Sequence, residues 1–333
     1  MKLNKYINNP ILEPEPSNEW ESLCVCNPGA WYEDGKYYLL YRAAGGDREH
    51  YIHFGLAESE DGYQFRRVSE QPVFSPDKGS FDGGCVEDAR IVKYDGIYYI
   101  TYAFRPFPPG QYWKLGGDQV LQYEIPETAP YCLKKNITNS GLLSSKDLKS
   151  FRRLGRITKS NLDDRDVILF PEKIDGKFVM LHRPKEWVGE KYGCKNPSIW
   201  ISFSEDLIEW DSSELLLEGV YDWEEKIGGS APPIKTEEGW LTLYHAVDKQ
   251  GIYRVGVMLL DLYNPAKIIA RAKDYIMEPE YDYEFDGLYK GCVFPTGNIV
   301  VGDTLYVYYG CADKYIGVAT CKLEEITNYV LGR

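Results

Sequence analysis

The sequence predicts an all-β fold, a five-bladed β-propeller, from three observations. A turn-and-strand unit recurs five times, helical periodicity is confined to one short segment, and aromatic residues make up 14% of the chain. The five units read EDGKYYLLYR (33–42), YDGIYYITY (94–102), IDGKFVMLHR (174–183), EEGWLTLYH (237–245) and VGDTLYVYYG (301–310). An acidic residue beside glycine ahead of alternating aromatic and aliphatic residues is a hairpin signal, because glycine tolerates the positive φ of a tight turn. The turn glycines Gly35, Gly96, Gly176, Gly239 and Gly302 are spaced 61, 80, 63 and 63 residues apart. A period near 60 fits one four-stranded blade with its loops.

The elements follow in chain order. Each acidic-glycine turn joins the first and second strands of a blade. The segments GLAESEDGYQF (55–65), LLSSKDLKSF (142–151) and ISFSEDLIEW (201–210) then read as outer hairpins, with Ser and Asp capping the turn and the aromatic packing back on the blade. The long second interval places an insertion at about 107–138, rich in Pro, Gly and Tyr, and residues 323–331 read as a short helix. Two β-sandwich domains would need a linker that the sequence lacks, so residues 1–333 are expected to form one catalytic propeller domain.

Composition narrows the function classes. There are 38 Lys and Arg against 51 Asp and Glu, a net charge of −13, and no basic stripe, which argues against nucleic acid as a partner. No apolar run is long enough for a membrane span, and residues 1–10 lack the apolar stretch of a secretory signal. The eight cysteines are scattered without a CxxC pair, which fits reduced thiols and a cytoplasmic location. Cys24 and Cys26 flank one residue, but no His or Cys cluster accompanies them, so neither a metal nor an organic cofactor is expected. A homo-oligomer is compatible with the sequence.

In a propeller the innermost strands converge on the axis, where charged residues that interrupt apolar strands mark an active site. Such interruptions occur around Asn27, at Glu87, Asp88 and Arg90, at 163–166, and at Glu225 and Lys226; Arg42, Arg183, His245 and Asp313 end the second strands. Together they supply carboxylates and a cationic nest, which suits acid chemistry with a phosphate co-substrate. Singly, each has a plainer reading. Asp88 and Arg90 could pair with each other, His182 and His245 could be core histidines, and Arg165 could belong to a solvated network with its neighbouring aspartates.

The segments NPGA (27–30), EDARI (87–91), LFPEKI (169–174), LHRP (181–184), KIG (226–228), GWLTLYH (239–245) and YYGCAD (308–313) resemble glycoside hydrolase family 130. That family holds β-mannoside phosphorylases and, in some branches, β-mannosidases, all five-bladed propellers. The resemblance implies an inverting phosphorylase: inorganic phosphate cleaves a terminal β-mannoside to give α-mannose 1-phosphate. It implies Asp88 as the acid, acting through a hydroxyl of the bound mannose. Phosphate falls to Arg165, Arg183, Lys226 and His245, and the sugar to Asn27, Arg42, Glu87 and Asp313.

Asp166 departs from the pattern, since some of the phosphorylases place Asn there; ionised, it would repel phosphate unless it pairs with Arg165 or Lys226. An inverting exo-β-1,2-mannosidase is the alternative, with Glu224 or Glu225 activating water, and a non-catalytic glycan-binding propeller is a third reading. Residues 110–113 and 102–105 resemble the members active on β-1,2-linked mannosides, such as mannobiose or oligomannan.

Overall fold

The computed structural model describes residues 1–114, 121, 123–211 and 213–333. The fold is all-β, and the described residues form five antiparallel units, four of them four-stranded and one, the fourth, five-stranded. The first comprises Cys24–Glu33, Lys36–Ala44, Ile52–Ser59 and Arg66–Arg67. The second comprises Cys85–Tyr94, Ile97–Arg105, Asn139–Ser145 and Phe151–Arg156, and one parallel bridge from Ile52 to Cys85 joins it to the first. Asp164–Leu169, Phe178–Pro184, Ile199–Ser204 and Glu214–Leu217 make the third. In the fourth, Lys226–Gly229 and Ile234–Lys235 both pair with Trp240–Val247, followed by Tyr253–Leu260 and Ile268–Arg271. The fifth takes Val293–Val301, Thr304–Cys311 and Tyr315–Lys322 from the end of the chain and Asn4–Lys5 from its beginning.

Local chemistry accounts for these units. Asp34, Asp95 and Asp175 sit at φ 49–51° and the glycines after them at 75–78°, the paired left-handed geometry of two-residue hairpins. The outer hairpins are capped as expected. Ser59, Ser145 and Ser204 accept the backbone N–H three residues on, while Asp61, Asp147 and Asp206 each accept two more. The C-terminal helix Leu323–Leu331 ends on Gly332 in the left-handed region.

Apolar burial lies between the units. Five main clusters pack first against second, second against third, third against fourth, fourth against fifth, and fifth against first. In the last of these, Val25, Leu39 and Tyr41 meet Tyr308, Ile316 and Val318, all buried.

A polar pin repeats inside the units. A buried second-strand tyrosine donates to a buried carboxylate: Tyr41 to Glu21 (2.9 Å), Tyr102 to Asp82 (2.9 Å), Tyr244 to Glu224 (2.8 Å) and Tyr309 to Glu284 (3.0 Å). The outermost strand supplies each carboxylate with a cation, respectively Arg67, Arg153, Arg271 and Lys5. In the third unit His182 takes the tyrosine's place and bonds Asp164 (2.8 Å) and Ser213 (3.1 Å). His182 is therefore a satisfied core histidine. Glu224 is equally committed, for it also accepts the backbone N–H groups of Val220 and Tyr221.

Candidate active site

The first strands of the units bring the site together. In the fifth unit the pairing shifts between Pro295 and Gly297, and in the first three units a β-bulge interrupts it, between Cys26 and Gly29, Glu87 and Arg90, and Arg165 and Ile168. Inside each bulge sits one residue with positive φ: Asn27 (48°), Asp88 (59°) and Asp166 (57°). Asn and Asp are the non-glycine residues that adopt this conformation most readily, and a bulge re-aims the side chain. Two glycines make room for what is re-aimed. A Cβ on Gly310 would lie 1.8 Å from Asn27 Oδ1, and one on Gly228 would lie 2.3 Å from Asp166 Oδ2.

The nine residues that the resemblance assigns to the site, Asn27, Arg42, Glu87, Asp88, Arg165, Arg183, Lys226, His245 and Asp313, line one cavity of about 320 Å³. That volume is at the small end of ligand pockets. The cavity has two poles.

At the acidic pole the carboxylates of Glu87, Asp88 and Asp313 surround Arg42. Arg42 Nη1 lies 2.7 Å from Glu87 and 3.1 Å from Asp88, and Nη2 is 3.6 Å from Asp313. Asn27 donates to Asp88 Oδ1 at 2.8 Å. Burial raises the pKa values of Glu87 and Asp313; Arg42 opposes the rise and Asp88 adds to it. Three carboxylates around one guanidinium leave surplus negative charge, which favours keeping a proton at this pole. The acid foreseen in the sequence thus has two carboxyl companions.

At the basic pole Arg165 is gripped by Asp163 (2.7 and 2.6 Å) and Thr138 (2.8 Å). Arg165 is thus held from inside rather than in a solvated network. Lys226 has no carboxylate partner within 4 Å among the described residues and stands 5.6 Å above the Tyr253 ring. Burial first, and then Arg183, lower its pKa to about 8.

Two expectations are corrected here. Asp166 pairs neither with Arg165 nor with Lys226; its Oδ2 accepts from Arg183 Nε at 2.6 Å, and Arg90 Nη2 stands 3.7 Å from Oδ1. Burial would raise the Asp166 pKa, but Arg183 and Arg90 outweigh it and hold the carboxyl well below the usual carboxylate range. His245, read as a cation, is neutral: burial, with Arg183, Lys226 and Arg90 nearby, pushes its pKa down to about 3. Its Nε2 is 3.5 Å from Asp166 and its ring is walled by Phe294 at 4.6 Å.

Arg90 does not pair with the Asp88 carboxylate. It donates to the backbone carbonyls of Asp88 (2.7 Å) and Ser230 (3.1 Å), bracing the bulge. Glu225 is exposed and does not line the cavity. Of residues 102–105, Tyr102 is a buried pin and only Arg105 reaches the cavity. The sequence did not single out Tyr253, Tyr289, Cys292 and Phe294 as cavity residues; Tyr253 and Phe294 look like ordinary strand core, and Tyr289 and Cys292 lie in the loop ahead of Val293–Val301. Pro109 and Tyr112 of the insertion also line the cavity. Gly110 and Gln111 tie this segment to the backbone of Glu49, Gly46 and Asp47 in the first unit. Residues 115–120 and 122 of the insertion lie outside the described residues. Among the described residues no group of three His, Cys, Asp or Glu side chains could hold a metal ion, and no helix is long and apolar enough to cross a membrane.

An all-β scaffold with a carboxyl pole facing a fixed cationic pole across a small cavity defines a protein that handles a polar ligand together with an anion. Comparison with other proteins makes this particular. The family model described as beta-1,4-mannooligosaccharide phosphorylase matches residues 123–331. The chain is 39% identical to a 1,2-beta-oligomannan phosphorylase of Thermoanaerobacter sp. (strain X514), covering 98% of this chain and 99% of the relative. It is 37% identical, with the same coverage, to a beta-1,2-mannobiose phosphorylase of that organism. Among solved structures it matches the beta-1,2-mannobiose phosphorylase of Listeria innocua with a TM-score of 0.80 and 26% identity, over 100% of both chains. The chain belongs to glycoside hydrolase family 130.

Proposed function

We propose that this protein is an inverting β-mannoside phosphorylase acting on β-1,2-mannobiose or β-1,2-oligomannan with inorganic phosphate. The observation that carries the reading is the two-pole cavity, in which Asp88 and the Arg165, Arg183 and Lys226 cations line the same hollow. The β-1,2 linkage is supported by the names of the relatives above and by Pro109 and Tyr112 on the cavity wall.

In this mechanism phosphate sits against the cations and attacks the anomeric carbon from the face opposite the leaving group, giving α-mannose 1-phosphate. The glycosidic C–O bond breaks with its electron pair on the acceptor oxygen, which gains the proton that Asp88 supplies through a mannose hydroxyl. Asn27, Arg42, Glu87 and Asp313 hold the sugar. Fixed cations stabilise the phosphate and the oxocarbenium-like transition state without reorganising during the reaction. The two carboxylates that the hydrolytic alternative would use to deprotonate water, Glu224 and Glu225, are respectively locked in a pin and outside the cavity.

The same reading takes the five units as the blades of one closed propeller. Its support is the cyclic order of the apolar clusters and the return of Asn4–Lys5 to the fifth unit. A cytoplasmic location is supported by eight buried cysteines, none of them disulfide-bonded.

The test is incubation with β-1,2-mannobiose, with and without phosphate. Mannose 1-phosphate is expected only with phosphate, and NMR should show the α anomer. Free mannose released equally well in both samples would overturn the proposal.

Lys226 adds a pH signature. Its ammonium is present below a pH of about 8 and lost above it. The kcat/KM for phosphate should therefore fall above that pH, by about tenfold per unit in the limit. Lys226→Arg should move the alkaline fall to higher pH, because a guanidinium stays charged. A fall at the same pH in the variant would remove Lys226 from the phosphate site.

A further inference from the structure

We propose that Asp166 makes the anion site selective for an oxyanion that carries a proton, by accepting a hydrogen bond from the P–OH of hydrogen phosphate, so that the site refuses sulfate. The inference rests on the phosphorylase reading and assigns that site its selectivity.

The geometry supplies the donor's place. Asp166 lines the cavity beside Arg165, Arg183 and Lys226, where the anion binds. Its Oδ2 is occupied by Arg183 Nε at 2.6 Å. Its Oδ1 accepts no hydrogen bond among the described residues, and the nearest cation, Arg90 Nη2, is 3.7 Å away. An ionised carboxylate only accepts, so a ligand oxygen meeting Oδ1 must bring the hydrogen. Hydrogen phosphate and hydrogen arsenate have one to offer near neutral pH. Sulfate has none, and would set a bare anionic oxygen against a buried carboxylate.

Asp166 has little freedom to swing away. It sits in a bulge at φ 57°, clamped by Arg183, with Oδ2 pressed against the bare face of Gly228. This arrangement also explains how a negative side chain coexists with a phosphate site: the like charges are separated by a shared proton. A purely structural part for Asp166, orienting Arg183 and nothing more, would not distinguish one tetrahedral dianion from another.

The experiment follows phosphate-dependent cleavage of β-1,2-mannobiose by the full chain, with sulfate as competitor and arsenate as replacement. For the unmodified enzyme the sulfate inhibition constant should exceed the phosphate KM by about 100-fold or more, since sites built around a ligand O–H reject analogues lacking it. Arsenate should sustain turnover. In Asp166→Asn, whose amide can donate, the gap between sulfate and phosphate should narrow by about tenfold or more. Sulfate competing in the unmodified enzyme within a few-fold of the phosphate KM would overturn the proposal, as would a folded Asp166→Asn enzyme with an unchanged gap. If the variant does not fold, the sulfate measurement on the unmodified enzyme decides alone. Cleavage that ignores phosphate altogether would remove the phosphorylase reading with it, whereas phosphate-dependent cleavage blocked by sulfate would remove only the selectivity of Asp166.

Discussion

Replacing Asp88 by Asn is expected to lower turnover of β-1,2-mannobiose by about 10³-fold while the protein stays folded, because a positioned acid contributes roughly 10²–10⁴-fold. The amide keeps the oxygen that accepts from Asn27 and Arg42, at 2.8 and 3.1 Å, and tolerates the left-handed backbone at φ 59°. What it loses is the transferable proton. The melting temperature should therefore move little, and an aryl mannoside, whose leaving group needs less protonation, should recover part of the rate. Mannose 1-phosphate release measured beside a thermal scan checks both halves. Activity within about tenfold of the unmodified enzyme on mannobiose would refute Asp88 as the acid.

Arg183→Met is expected to be costly in a different way. It removes the partner of a buried carboxylate, and breaking a buried pair from one side typically costs about 3–5 kcal/mol. Asp166 would then keep only Arg90 at 3.7 Å and a neutral His245 at 3.5 Å. The depressed pKa of Asp166 fixes the sign with pH: the stability it contributes is present at neutral pH and fades as pH falls through and below the ordinary carboxylate range. The single variant should therefore be least penalised in acid. Adding Asp166→Asn should restore most of the stability at pH 7 without restoring phosphate use. Urea denaturation of the unmodified protein, Arg183→Met and the double variant at about pH 3.5 and pH 7 tests this, and a double variant no more stable at pH 7 than Arg183→Met would contradict the pairing.

The local parts of this fold were legible in the sequence. The Asp-Gly turns, the Ser-x-Asp caps and the final helix each depend on a few adjacent residues, and they form where expected. The polar pins were hidden because their members are scattered: Lys5 and Glu284 are 279 residues apart, and a buried tyrosine in an alternating strand looks like any other core residue. At the site, charged residues in and at the ends of apolar strands, together with the resemblance, picked out nine of the lining residues, but sequence carries no measure of burial. That is why His245 counts among the cations in the phosphate-site reading, and why Glu224, two residues before Lys226, stands beside Glu225 as a candidate base in the hydrolytic alternative. Asp166 was recognised as a problem, yet its partner Arg183 lies on the neighbouring strand, directly opposite Arg165. The aromatic walls Tyr253 and Phe294 gave no signal, since their strands alternate as core strands do.

The N-terminal strand also sets the order in which the molecule is assembled. Asn4–Lys5 leaves the ribosome before the first unit, but its pairing partners Thr320 and Ala319 follow only after the first four. Until they appear, the face of the first unit that ends against Tyr308, Ile316 and Val318 has nothing to cover it. A nascent chain therefore carries an open greasy flank through most of its synthesis, a state prone to sticking to its neighbours. Native burial arrives late, and removing Leu3 or the helix residues Ile326 and Val330 should loosen the seam between the fourth and fifth units.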